Sequence, residues 1–244
     1  MGLGILLFGC TDTKSDSDQA EIQFLLTDMP GDYQQVNIDV VGINIMMNDS
    51  LVELTTNQGI YNLLELVNGR DTLLVEDQAP SGFISQVRLI LGDNNSIMID
   101  SVVYDLKTPS AQQSGLKLNV HNEFIPGESY AYVIDFVVEK SIVKTGNGKY
   151  ILKPVIRLFT EAITGSVQGV VTPVESRPYI MAIIEEDTTS TYAGTVTGNF
   201  MIRGLPEGSY TLELQPVEDY KDTVLTDVIV VNGQTTVIDT ITIR

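Results

Sequence analysis

From residue 21 the apolar positions recur with a period of two: Ile22, Phe24 and Leu26 fall on one side of an extended chain. That is the pattern of a strand with one face in a core. "TDMPGDY" then predicts a turn, with Pro30 fixing one φ and Gly31 free to take a positive one. The next run carries Val36, Ile38 and Val40, then Ile43, Ile45 and Met47, so its apolar phase slips from even to odd around Val41-Gly42. One extra residue restores the inward face, which predicts a β-bulge at Gly42.

Further strands are predicted at about 51–55, 60–66, 83–91, 96–105 and 116–120, with "YNLLELVNG" also fitting a helical turn. Tyr130, Tyr132, Ile134, Phe136 and Val138 share one face of a long strand. Lys149 to Thr160 is expected to pair back on it through the Asn147-Gly148 turn. After Thr164 short strands follow one another with a turn every 8–12 residues, the rhythm of a small sandwich of about seven strands. Thr197-Gly198-Asn199 and Asn232-Gly233 read as hairpin turns, and Leu205-Pro206-Glu207-Gly208 as a tight reversal. The expected fold class is all-β: two antiparallel β-sandwich domains in tandem, at 21–163 and 165–244, behind a terminal segment of residues 1–20.

Charge narrows the partners. Fourteen basic residues against 32 acidic ones give −18. The excess is spread along the chain, at −2 over residues 1–20, −9 over 21–164 and −7 over 165–244. No basic stripe exists for a phosphate backbone, so nucleic acid is not an expected partner. The single cysteine, Cys10, excludes an intramolecular disulfide and a thiolate zinc cluster.

Cys10 closes the apolar run "MGLGILLFGC" and precedes the acidic "TDTKSDSDQAE". This resembles the end of a bacterial lipoprotein signal peptide, whose cysteine is lipidated. The acidic stretch is similar to the signal that exports lipoproteins of Bacteroidota-type bacteria to the cell surface. The resemblance implies Cys10 as a lipid anchor in the outer membrane, on its periplasmic or outer face. No other stretch has 18 uninterrupted apolar residues.

Two family resemblances cover the rest. Thr27-Asp28, Pro30-Gly31-Asp32-Tyr33, Val36-Asn37, Leu63-Leu64, Asn68-Gly69, Arg88-Leu89, Leu91-Gly92, Asn94 and the stretch Lys107 to Lys117 resemble the DUF4382 family of bacterial lipoprotein domains, over about 20–162. That family implies an envelope-attached β-sandwich without enzyme activity. Gly165, Val167, Gly169 and Val171, then Gly198, Phe200, Ile202, Gly204, Leu205, Pro206, Gly208, Tyr210 and Leu212, resemble the carboxypeptidase regulatory-like, transthyretin-type sandwich. This second resemblance implies an accessory module.

Candidate chemistry is sparse. Ser114-Gly115-Leu116-Lys117 spells S-x-x-K, the nucleophile motif of serine β-lactamases, and Lys144-Thr145-Gly146 follows it. That chemistry needs the serine and lysine one helical turn apart. Leu116 to Val120 alternates as a strand, and residues three apart in a strand face opposite ways. The motif is therefore read as coincidence. His121, the only histidine, rules out metal sites with two histidines.

Asp28, Asp32 and Asp93, with Asn94 and Asn95, offer hard oxygens for Ca2+. The same residue types also make turns through local hydrogen bonds. Ser110, Gln112, Gln113, Ser114 and Lys117 form a polar loop stretch, read either as a closed connection or as a patch for a surface glycan or protein partner. The expected function is a non-enzymatic, lipid-anchored envelope protein for binding, adhesion or assembly. A glycan-processing enzyme or its accessory part is the alternative, marked by a pocket with two close carboxylates and a stacking tyrosine. A calcium-stabilised adhesin is the third.

Overall fold

The computed structural model describes residues 18–29, 33–108 and 115–244. The chain is all-β, as expected, with 64% of residues in strands and 6% in helices. Thirteen strands come first: β1 (Gln19–Met29), β2 (Gln35–Met47), β3 (Ser50–Leu54), β4 (Gly59–Asn62), β5 (Thr72–Pro80), β6 (Gly82–Leu91), β7 (Ser96–Ile99), β8 (Val102–Lys107), β9 (Leu116–Phe124), β10 (Ser129–Val137), β11 (Ile142–Lys144), β12 (Tyr150–Leu152) and β13 (Ile156–Phe159). They form a four-stranded sheet, β13-β10-β1-β5, and a nine-stranded sheet along β11-β12-β8-β7-β2-β6-β9, with β3 and β4 also on β2.

β2 is the spine of the larger sheet. Its 13 residues pair with β6 and β7 along one edge and with β3 and β4 along the other. Between Val40 and Gly42 its register against β6 slips by one residue, so the bulge lies where the phase change in the sequence put it. The Thr56 hydroxyl accepts from Ile43 N at 2.9 Å, serving a backbone donor in the gap between β3 and β4.

The faces of the two sheets meet in one core, where Ile22, Phe24, Ile38, Ile43, Phe124 and Phe136 are fully buried. Phe24 stacks on Tyr132 at 5.4 Å between ring centroids. On β10, Tyr132, Ile134 and Phe136 enter this core. Val133, Asp135 and Val137 are buried as well, on the opposite face of the strand.

Four expectations change here. Residues 60–66 are β4 followed by a 3-10 turn, Leu63–Glu65. Residues 96–105 are a hairpin, with Asp100 and Ser101 both at positive φ. β5 went unforeseen because its ladder with β1 carries a register shift: Val75 faces Phe24 while Leu73 faces Leu25. The slip leaves Leu74 and Val75 both buried and erases the period of two. Residues 149–160 are not one strand either. The Asn147-Gly148 turn joins β11 to β12 in the large sheet, and only β13 returns to β10. A short helix, α1 (Val138–Ser141), makes the crossing. The buried Ser141 hydroxyl donates to Val137 O at 2.7 Å and accepts from Val155 N at 2.9 Å.

Eight strands follow: β14 (Gly165–Thr172), β15 (Tyr179–Ile184), β16 (Asp187–Tyr192), β17 (Asn199–Leu205), β18 (Gly208–Gln215), β19 (Thr223–Val230), β20 (Thr235–Val237) and β21 (Ile241–Thr242). They make two four-stranded sheets, β17-β14-β20 with β21 on β14, and β16-β15-β18-β19. Val167, Ile180, Phe200, Tyr210, Leu212 and Leu214 lie in a second core.

Most ladders are antiparallel, but β1 with β10, β8 with β12, and β14 with both β20 and β21 run parallel. Thr197-Gly198 and Asn232-Gly233 do turn the chain, with both glycines at φ +68. They close no hairpins, since each hands the chain from one sheet to the other.

Candidate functional site

The C-terminal sheets meet β13 and β10 along a polar seam. Arg157 on β13 binds the buried Asp135 carboxylate of β10 through Nε, at 2.9 Å, and Nη2. The same guanidinium reaches across to Thr189 Oγ1 on β16 and to Arg203 O on β17, each at 3.1 Å. Arg203 reaches back, pairing with Asp71 at 3.0 Å and with Glu161. Each side thus lends the other an arginine. Burial pushes the Asp135 carboxyl above the ordinary carboxylate range, and the Arg157 charge opposes that rise. Gly204 on β17 sits at φ +68, where a Cβ would stand 2.6 Å from the Phe159 ring. Backbone conformation and close approach both call for glycine there.

The family-type motifs Thr27-Asp28 and Asn68-Gly69 meet at this seam. Thr27 Oγ1 lies 2.9 Å from Leu66 O and 2.8 Å from Arg70 O, donating to one at a time. Asn68 and Gly69 take φ of +56 and +83, and the turn is closed by Arg70 N donating to Val67 O at 3.3 Å. Asn68 Oδ1 is buried there without a hydrogen-bond partner.

Beyond Asn68 the seam opens into a cleft of about 540 Å³. Tyr33, Gln34 and Asn68 line one wall, and Arg177, Tyr192 and Thr195 the other. Its apolar lining is Leu64, Val67, Ala193 and Val217. Gln34 Oε1 already accepts from Ser101 N at 2.7 Å, leaving its amide donors available. The Tyr192 ring leans on Tyr179 at 4.9 Å.

Arg177 is exposed and left-handed, at φ 35 and ψ 54, just after a 3-10 turn. The neighbouring Ser176 anchors it: that hydroxyl donates to Pro173 O at 2.6 Å, and Ser176 O accepts from Val217 N at 3.0 Å. Arg177 enters none of the ion pairs among the described residues. Among the described residues no aspartate or glutamate lines the cleft.

None of the described candidates read from the sequence, Asp28, Asp93 and Lys117, lies in this cleft. Cys10, Asp32, Ser110, Gln112, Gln113 and Ser114 are outside the described residues. Lys117 is exposed on the edge strand β9, across from Arg88. Asp28 is not in a loop but buried on β1, its amide donating to Leu66 O at 3.0 Å. Asp93 is exposed on the turn after β6, in the other sheet.

Among the described residues no group of three or more His, Cys, Asp or Glu side chains is placed to hold a metal ion. Asn94 and Asn95 do turn work instead. Asn94 donates from its backbone and side chain to Asp39 Oδ2, at 3.2 and 2.9 Å. Asn95 accepts from Asp39 N at 2.9 Å and donates to Gly92 O at 2.7 Å and Thr108 Oγ1 at 3.1 Å. A Cβ on Gly92 would stand 2.3 Å from Asp39 Oδ2, which explains the glycine in that motif. His121 is exposed, with its ring 6.1 Å from that of Phe83.

The cleft residues were not singled out from the sequence as a site. Tyr33 and Asn68 sit inside quoted motifs, but Arg177 and Tyr192 approach them only when the sheets dock.

Fold and cleft define an all-β protein with a polar seam between two sets of sheets. The chain belongs to the DUF4382 family, a domain of unknown function, matched over residues 19–154. No curated protein matches it. Among solved structures it is similar to the Bacillus anthracis TIE protein, at 10% identity and TM-score 0.28, covering 96% of this chain and 41% of that one. It thus spans about two fifths of that protein's length. The fimbrial anchor protein Mfa2 from Porphyromonas gingivalis shares 9% identity at TM-score 0.24, covering 91% and 90%. The C-terminal fragment of the pilus adhesin SpaC from Lactobacillus rhamnosus GG shares 10% at 0.25, covering 92% and 97%. Among the described residues no helix is long and apolar enough to cross a membrane.

Proposed function

We propose that this protein is a non-enzymatic envelope module that binds a surface ligand, tethered by lipid on Cys10 at the outer membrane of a Bacteroidota-type bacterium. In this reading residues 165–244 are an accessory sandwich of the carboxypeptidase regulatory-like type, and the seam holds them rigidly on the family domain.

One observation carries the binding reading over a glycan-processing enzyme. Among the described residues the cleft is lined by tyrosines and hydrogen-bonding side chains and by no carboxylate. Hydrolysis of a glycosidic bond takes a pair of them, an acid with a base or nucleophile. What the lining offers is recognition: aromatic faces, amides, a hydroxyl and one guanidinium.

The test is fractionation of cells making the wild type and Cys10→Ala. The wild type is expected in the membrane fraction, open to protease added outside the cell, and the variant in the soluble fraction. A variant that stays with the membrane rules out the anchor. Hydrolysis of any glycan by the purified protein would rule out the non-enzymatic reading.

A further inference from the structure

Arg177 is the left-handed cap of the 3-10 turn Val174–Ser176, its amide donating to Val174 O at 3.3 Å, a backbone role that needs no guanidinium. An L-residue in the left-handed region is strained, and glycine or asparagine is the usual occupant. Here the position holds the side chain least suited to being left alone. The chain carries 14 basic against 32 acidic residues, yet among the described residues no acid lines the cleft beside this guanidinium. Its five N–H donors stand in a planar fork that matches a carboxylate. A strained residue kept at a cleft, in no ion pair among the described residues, points to a ligand that answers its charge.

From this geometry we infer that the cleft binds a carboxylate-bearing saccharide, with Arg177 as the carboxylate receptor. Tyr33 and Tyr192 supply ring faces for the apolar side of a sugar. The free amide donors of Gln34 and the Thr195 hydroxyl serve its hydroxyl groups. A volume of about 540 Å³ lies within the roughly 300–1,000 Å³ of small-ligand sites.

A peptide fits less well, because extended peptides draw affinity from a free strand edge. Of the lining residues only Tyr192 belongs to a strand, and β16 turns towards Arg157 at Thr189. The net charge of −18 does not forbid an acidic ligand. Exposed charges are screened beyond about 8 Å at physiological salt, so the nearby guanidinium dominates.

The inference rests on the binding reading above, and its test is separate from that of the lipid anchor. The full chain in detergent is titrated calorimetrically with a trimer of galacturonic acid, with a trimer of galactose, and with a pentapeptide ending in a free carboxylate. The galacturonate trimer is expected to bind at least tenfold more tightly than the galactose trimer. Arg177→Gln and Arg177→Gly are expected to weaken it at least tenfold, with Arg177→Lys between them and the wild type.

Arg177→Gly suits the left-handed backbone, so its melting temperature should stay level or rise while binding is lost. The inference is overturned if neither trimer binds, if both bind equally, or if the peptide binds more tightly than either. It is overturned too if the variants bind as the wild type does, or if both Arg177→Gln and Arg177→Gly unfold, which would make Arg177 a structural residue.

Discussion

Two arginines on one seam have opposite fates. Arg157 is answered on every side, by Asp135, Thr189 and the Arg203 carbonyl. Arg177 stands beyond Asn68 at the open end of the same junction, with no acid beside it among the described lining residues. The first is what docking two sheet sets over a buried charge demands, since a charge taken out of water needs a partner. The second is exposed, in no ion pair among the described residues, and held in a left-handed backbone. Burial and partnering therefore separate the residue that holds the sheets together from the one that faces a ligand.

The largest effect is expected from Arg157→Ala. It strands the Asp135 carboxylate in the seam, and breaking a buried pair costs about 3–5 kcal/mol. Urea denaturation measures this, and a loss under about 1 kcal/mol would reduce the pair to a surface contact. Gly204→Ala comes next, at about 2–4 kcal/mol, from a strained φ and overpacking against Phe159. Arg203→Ala should cost less, about 1–2 kcal/mol, because its partners Asp71 and Glu161 are reached by solvent.

The pH response sharpens the same contrast. Burial raises the Asp135 carboxyl, so the folded chain takes up its proton at a higher pH than the unfolded chain does. The stability linked to that group is complete below the unfolded value of about 3.9 and fades as pH rises through the folded one. Asp135→Asn lacks this titration. On going from pH 7 towards pH 4, the melting temperature of the wild type should therefore gain on that of the variant, and a constant difference would contradict the raised carboxyl. Smallest of all is Arg177→Gly, whose stability should match the wild type to within about 0.5 kcal/mol.

Much of this was legible in the residues. Ile22, Phe24 and Leu26 announced β1, and the phase slip at Val41-Gly42 announced the bulge, because side-chain alternation is a local property of an extended chain. The turns at Asn147-Gly148, Gly198 and Gly233 were legible for the same reason, since positive φ depends on the residue itself. β5 was hidden by its own bulge, which put Leu74 and Val75 inward together. Asn94 and Asn95 could be read as turn formers, but not that Asp39, some 55 residues earlier in the chain, is what they hold.

By itself, then, the sequence determined where the chain is extended, where it reverses and which faces are apolar. Only the tertiary structure decided which sheet each strand joins. It turned the Gly198 and Gly233 reversals into crossings between sheets, and sent β12 and β13 to different sheets after one predicted strand. It also made the seam, because its bonds join residues 22 to 132 positions apart. Such partners are selected by packing and by the need to answer buried charge, and neither leaves a period in the sequence. The cleft exists for the same reason: Tyr33 and Arg177 share it only because the two sets of sheets meet.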